Sequence, residues 1–339
     1  MNSAQGKSSR PGDAGERPGP SARSQAPVFV VGCPRSGTTL LYHMLLSAGN
    51  FVVYRTESQV FNLLEPSFGD FSNPGNFRRM LHAWKNSRLF HETGLDERET
   101  SEAVVNCRNG GDFLRAVLEA MARRQGVARF ADCTPEHLLY LRRIKETLPD
   151  AIVVHVIRDG RDVALSMAKQ GWIAPFPWDH GREIEVAALY WDWVVSKGRQ
   201  SGRALGDGYV EVRFEELVNR PELTLQSVGQ FIGQTLDYDV IRKAGIGSVS
   251  KPNTSFADAE NFDPVARWKS VMPSQVLANV QALTGATLAS LDYALADGPK
   301  KAGGFPAPNL YRSYWDAKLF LKQKTSVGKL FASSDLSWV

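Results

Sequence analysis

The chain has 339 residues, 43% of them hydrophobic, which is enough to bury a large core and favours one big α/β unit. Its formal net charge of +4 suits an anionic nucleotide or an acidic acceptor and gives no argument for nucleic acid as a partner. The three cysteines, Cys33, Cys107 and Cys133, lack CxxC spacing, and the six histidines form no HExxH or other close pattern, so a disulfide scaffold and a metal site are not expected and a reducing compartment is.

Residues 1–26 are rich in Ser, Gly, Pro and Arg with no apolar run, which predicts a disordered tail. That tail has no h-region of a signal peptide, and no later segment supplies the roughly 18 apolar residues of a membrane span, so the expected location is cytoplasmic. Val28 to Val31 then reads as a buried strand. Gly32-Cys33-Pro34-Arg35-Ser36-Gly37-Thr38-Thr39 has the glycine spacing of a P-loop, whose backbone N–H groups point inward at the positive end of the helix that follows. That helix shows its apolar face through Leu40, Leu41, Met44, Leu45 and Ala48. Thr38 stands where the usual P-loop has the lysine that reaches nucleoside triphosphates. With Arg35 as the cation and two threonine hydroxyls, the loop suits a shorter anionic group without a metal.

Phe51 to Tyr54 reads as a second strand, and Glu57 lies just past its end, where ligands of parallel α/β sheets bind. A carboxylate there is either a surface residue that starts a helix or a general base. Residues 67–109 mix aromatic, charged and turn residues, which leaves open short helices over the site or a variable insertion. Asp112 is expected to cap a helix ending at Gly126, and Val127 to Ala131 reads as the third strand. It leads into Asp132-Cys133-Thr134-Pro135-Glu136-His137. Ala151 to Ile157 is a continuous buried-type strand running into RDGRDVALS, Arg158 to Ser166. A guanidinium at a strand tip and a hydroxyl two helical turns later can converge on one phosphate. An aromatic loop from Gly171 to Gly181, a long helix from Glu183 to Gly206 and a fifth strand from Tyr209 to Phe214 follow. Lys251-Pro252-Asn253 and Arg267-Trp268-Lys269 flank a polar loop, and closing helices are expected over residues 273–284 and 286–293. The segment from Tyr311 to Leu330 is a basic amphipathic helix that allows peripheral membrane contact, packing on its own domain, or a homodimer contact.

PRSGTTLL after a hydrophobic strand, followed by a strand and RDGRDVALS, resembles the sulfotransferases that use 3′-phosphoadenosine 5′-phosphosulfate (PAPS), in particular the bacterial and tyrosylprotein branches with Arg in the loop. The resemblance covers most of the chain, to about Tyr293. It implies a P-loop-like three-layer α/β fold with a mostly parallel sheet of about five strands and a sulfotransferase domain over residues 27–298, which leaves residues 299–339 as a basic amphipathic C-terminal extension. It further implies that Arg35, Ser36, Gly37, Thr38 and Thr39 hold the 5′-phosphosulfate, that Arg158 and Ser166 hold the 3′-phosphate with Arg161 as a weaker third, and that Arg267 lies near that phosphate. Glu57 matches the catalytic glutamate of the tyrosylprotein branch. The chain departs from the pattern at Cys133, where the relatives generally carry a lysine that holds the transferring sulfo group; a neutral thiol cannot replace an ammonium. The implied activity is sulfo transfer to a hydroxyl acceptor, saccharide, lipid, phenol or peptide. A P-loop nucleotide kinase and a nucleotide-binding protein without turnover are the alternatives.

Overall fold

The computed structural model describes residues 23–170, 173, 175–244, 263–296, 305, 307–330 and 336. Most of the expected N-terminal tail, Trp172, the Lys251-Pro252-Asn253 stretch and the junction at residues 298–299 lie outside the described residues.

Among the described residues the sheet has four parallel strands in the order β2-β1-β3-β4: β1 Val28–Gly32, β2 Ala131–Asp132, β3 Ile152–Ile157 and β4 Tyr209–Arg213. β1 and β3 are buried along their whole length, as unbroken β-branched runs require when helices cover both faces. Side chains alternate between two cores. Phe29, Val31 and Val153 point into the larger one, and Val28, Val30, Val154 and Val156 into the smaller. The smaller core is closed by Leu41, Met44 and Leu45 of helix α1, Thr38–Ser47, and by Leu225, Val228 and Ile232 of the helix Pro221–Ile232. The larger core takes helices α2 Gly110–Gln125, α3 Gly160–Ala168, α4 Glu183–Arg203 and α5 Ser274–Ser290, with α4 packed on both α3 and α5. The result is the expected three-layer arrangement.

The sheet is one strand short of the expected five because Phe51 to Tyr54 makes a single parallel bridge, Phe51 to Arg129, and then leaves the ladder. The cause is a side chain: the Gln125 amide accepts from Val53 N–H at 2.8 Å and donates to its carbonyl at 3.1 Å, satisfying the groups a longer strand would have paired. β2 is likewise confined to two residues, since Ala128 and Arg129 are bonded to Asn50. Helix α2 starts two residues before Asp112, with Asn109 as its N-cap, and Asp112 instead accepts from Asn109 Nδ2 at 2.9 Å. Residues 67–109 are mostly helical, including Pro74–Lys85 capped by Asn73 and Glu97–Val104 held by an Asp96/Glu99 capping box. They pack on α2, Trp84 meeting Phe113 edge-on at 5.0 Å.

The two expected closing helices are one, α5, because Gly285 interrupts it with neither a cap nor a proline and an interior glycine costs only about 1 kcal/mol. The C-terminal helix α6, Pro308–Lys324, packs on the domain through buried Tyr311 and Trp315. Among the described residues no helix is long and apolar enough to cross a membrane.

Candidate active site

The glycine loop joins β1 to α1 in a conformation that its sequence is built to accept. Gly37 has φ +93, and a Cβ there would lie 2.2 Å from the Phe214 ring, so the position needs glycine for both conformation and space. Arg35 has φ 72, an uncommon value for a non-glycine residue, and this turns its side chain toward α3. The Arg35 Nε donates to Ser166 Oγ at 2.9 Å. Burial lowers the Arg35 pKa, but a guanidinium remains charged at neutral pH.

Arg158 follows β3 and is buried beneath the same loop, its Nη1 donating to the Arg35 carbonyl at 3.0 Å and its Nη2 to the Pro264 carbonyl at 2.6 Å. Its guanidinium lies 4.6 Å from the centre of the Phe214 ring. The fold thus brings Arg158 and Ser166, each more than 120 residues from Arg35 in the chain, into one hydrogen-bonded group with it. Two buried atoms at this group, Ser36 Oγ and Arg158 Nε, have no hydrogen-bond partner. Buried donors of this kind are normally paired, so the loop offers ready contacts to an anion. The donor set of a guanidinium pair, hydroxyls and the uncapped start of α1, with no acidic residue in its first turn, fits a phosphate or sulfate group. Thr39 is half-buried at the same helix start.

Arg161 does not join them. It is ion-paired with Asp159 at 2.7 Å, donates to Gln281 and to the Ala294 carbonyl, and stacks 3.8 Å from the centre of the Trp268 ring. Those contacts hold the Arg267–Lys269 turn: Trp268 N–H donates to Asp162 at 2.9 Å and its indole to Asp159 at 3.1 Å. The turn brings Arg267 close enough for its charge, with that of Arg35, to lower the Arg158 pKa beyond the larger effect of burial.

Cys133 lies under the loop, and its thiol shares a hydrogen bond with the Thr38 hydroxyl. Burial, then the charges of Asp132 and Glu57, raise its pKa well above the usual thiol value, so it is neutral.

Glu57 lies on the segment that leaves the ladder after the bridge from Phe51 to Arg129, and the residues around Cys133 pin that segment in place. Thr134 Oγ1 accepts from Ser58 N–H at 3.0 Å. His137 is wedged between Asp132, 2.8 Å from its Nδ1, and Phe61 N–H, which donates to Nε2 at 3.3 Å. Nε2 must therefore be unprotonated, leaving a neutral imidazole that donates through Nδ1. Gln59, at φ 55, donates to Glu57 Oε2 at 2.6 Å; Asn62 Nδ2 donates to Gln59 Oε1 at 2.5 Å and to Glu136 Oε2 at 3.0 Å. Two amides thus link two carboxylates. Glu57 is open to solvent on one side, yet the protein packed on the other desolvates its carboxyl and, with the charges of Glu136 and Asp132, pushes its pKa up to about 7. Nothing in the residues around Glu136 marks it for a role, because its link to Glu57, 79 residues earlier, exists only in the fold.

The sequence pattern of the sulfotransferase family matches residues 27–238. Protein-tyrosine sulfotransferase A of Caenorhabditis elegans is 22% identical over 265 residues, and the match covers 76% of this chain and 64% of that protein's length. The fold is similar to that of the sulfotransferase domain from the curacin biosynthetic pathway, with a TM-score of 0.51 and 15% identity over 80% of this chain and 99% of that domain. The sulfotransferase domain of the Synechococcus PCC 7002 olefin synthase aligns over 80% of this chain and 96% of its own, with a TM-score of 0.49 and 19% identity. The matched residues contain the glycine loop, both linked carboxylates, Arg158 and Ser166, so the site is built from the part of the chain that defines the family: the chain belongs to the sulfotransferase family.

Proposed function

We propose that this protein transfers the sulfo group of PAPS to a hydroxyl acceptor. The observation that carries the reading is the hydrogen-bonded group of Arg35, Arg158 and Ser166 at a loop with Thr38 in place of the P-loop lysine. PAPS, when bound, supplies the sulfo group and its phosphate leaving group. In this reading Arg35, Ser36, Gly37, Thr38 and Thr39 hold the 5′ side, and Arg158 and Ser166, with Arg267 nearby, hold the 3′-phosphate. Glu57 is the general base; a carboxyl with a pKa of about 7 is half ionised near neutrality and well matched to taking a proton. The acceptor oxygen bonds to sulfur as the sulfur–oxygen bond to the donor's 5′-phosphate breaks, and the hydroxyl proton passes to Glu57. Arg35 and the loop N–H groups stabilise the charge that builds on the sulfo and phosphate oxygens.

A second reading, nucleotide binding without turnover, is favoured by the neutral thiol of Cys133 where the family generally has a lysine. Calorimetric titration decides the donor. Arg158→Ala is expected to weaken binding of 3′-phosphoadenosine 5′-phosphate (PAP) by about ten- to a hundred-fold and to leave the weak binding of adenosine 5′-monophosphate nearly unchanged. Equal losses for both ligands would remove Arg158 from the 3′-phosphate. Wild-type preference for ATP with Mg²⁺ would favour a kinase, and labelled-sulfo transfer from PAPS to any hydroxyl acceptor separates catalysis from binding alone.

A further inference from the structure

At the edge of the glycine loop a cavity of about 230 Å³ opens, with Pro34 and Met167 at one end. Its walls are aromatic. Tyr190 and Trp193 come from α4, and Trp315 comes from α6, meeting Tyr190 edge-on at 5.2 Å and Trp193 at 5.7 Å. Glu136 reaches the cavity from the loop side, and Lys318 and Lys322 line it from α6. Helix α6 lies wholly outside residues 27–238, so this wall is not part of the matched pattern. It is firmly held: Trp193 Nε1 donates to Asp316 at 2.9 Å, Tyr311 donates to Asp179, and Phe176 packs edge-on against Tyr311 at 5.0 Å.

Four polar side chains facing the cavity are held by no hydrogen bond or ion pair to the described residues. Among the described residues, the hydroxyls of Tyr140 and Tyr190 make no hydrogen bond, and the ammoniums of Lys318 and Lys322 pair with no carboxylate, whereas Lys197 and Arg312 nearby are ion-paired. A cavity with aromatic walls and a few convergent polar groups has the make-up of a small-molecule site.

We propose that this cavity is the acceptor site, and that α6 selects a small hydroxylated aromatic compound with an anionic group at the end remote from its hydroxyl. The inference rests on the sulfo-transfer reading above. The volume suits a single ring with a short substituent, and the Tyr and Trp walls suit its faces. The charges give the ring one orientation. Glu136, linked through Asn62 and Gln59 to Glu57, repels an anion from the loop end, while the two lysines attract it at the α6 end. A cationic substituent at that end meets two like charges. Burial, with the like charge of Lys318, lowers the Lys322 pKa against the pull of Glu136, and a bound anion would relieve that cost.

The test uses the full chain saturated with PAP and titrates its tryptophan fluorescence with 4-hydroxyphenylacetate, p-cresol and tyramine, which share a phenol and differ in charge at the far end. Wild type is expected to bind 4-hydroxyphenylacetate about tenfold more tightly than p-cresol, with tyramine weakest. The double variant Lys318→Gln/Lys322→Gln, shown to be folded by its melting curve, is expected to lose that order. Tyramine binding tightest, equal binding of all three, no saturable binding, or an order unchanged in the double variant would each overturn the proposal. Because binding is read without turnover, the two readings fail separately. A phenol that binds in the expected order yet receives no labelled sulfo group counts against transfer, and sulfo transfer to some other acceptor with no phenol binding counts against this site.

Discussion

Glu57 differs from an ordinary surface glutamate through its neighbours: Gln59 fixes its carboxylate at 2.6 Å, while Glu136 and Asp132 place negative charge nearby. In the proposed mechanism it acts as a base only when ionised, so transfer should rise with pH through about 7 and fall away below it. Glu136→Gln removes one of the charges that raise this pKa, so the acidic limb of the pH–rate profile should move to lower pH. A limb that stays in place, or moves up, would show that Glu136 does not set the ionisation of the base. Glu57→Gln itself should cut transfer by about 10² to 10⁴ while leaving PAP affinity within a few-fold. Unchanged turnover in that variant takes Glu57 out of the mechanism. At Cys133 the thiol is neutral, where the resemblance implies the ammonium of a lysine. Cys133→Lys should raise transfer if that charge limits the rate, and a folded but slower variant would mean the pocket has been rebuilt around the thiol.

At the scale of elements, the segment from Asn50 to Asn62 carries the proposed base without being a strand. Its geometry comes from side chains on other elements: Gln125 at the end of α2 on Val53, Thr134 on Ser58, and His137 on Phe61. Gln125→Ala leaves the Val53 N–H and carbonyl without these partners. Amide hydrogen exchange should then quicken across residues 51–57, and transfer should drop more than PAP affinity does. If exchange there is unchanged, the amide is not what holds the segment. The turn at Arg267 shows the same logic. Asp159, Asp162 and Arg161 use their charges to dock Trp268, and this carries Arg267 toward Arg158.

For the whole molecule, the central question is how the C-terminal helix belongs to the rest. Trp315 is buried against Tyr190 and Trp193 of α4, and Asp316 ties the same surfaces through Trp193 Nε1 and Lys197. Removing a buried tryptophan typically costs about 3 to 5 kcal/mol, so Trp315→Ala should lower the urea midpoint substantially. A loss under about 0.5 kcal/mol, the range of ordinary surface substitutions, would show that α6 is an appendage and not a wall of the domain.

What the sequence determined by itself was everything encoded by local periodicity and spacing. β1 and β3 are unbroken β-branched runs, the glycine loop carries its own conformational demand at Gly37, and RDGRDVALS sits between a strand tip and a helix, so the three-layer fold and the grouping of loop and strand tip were legible from the residues and the resemblance they carry. The strand expected at Phe51 to Tyr54 was misread because nothing in its own residues reveals that Gln125, some 72 positions later, occupies its hydrogen bonds. The cap at Asn109 was missed in favour of Asp112 because both are good caps and only the backbone selects between them. Arg161 read as a phosphate ligand by its place in the motif, yet its direction is set by Asp159 and Trp268. The link from Glu57 to Glu136 and the cavity under α6 were decided by tertiary structure alone, since both join side chains from distant elements: local pattern fixes how a segment folds, but which charges and rings meet depends on how the segments pack.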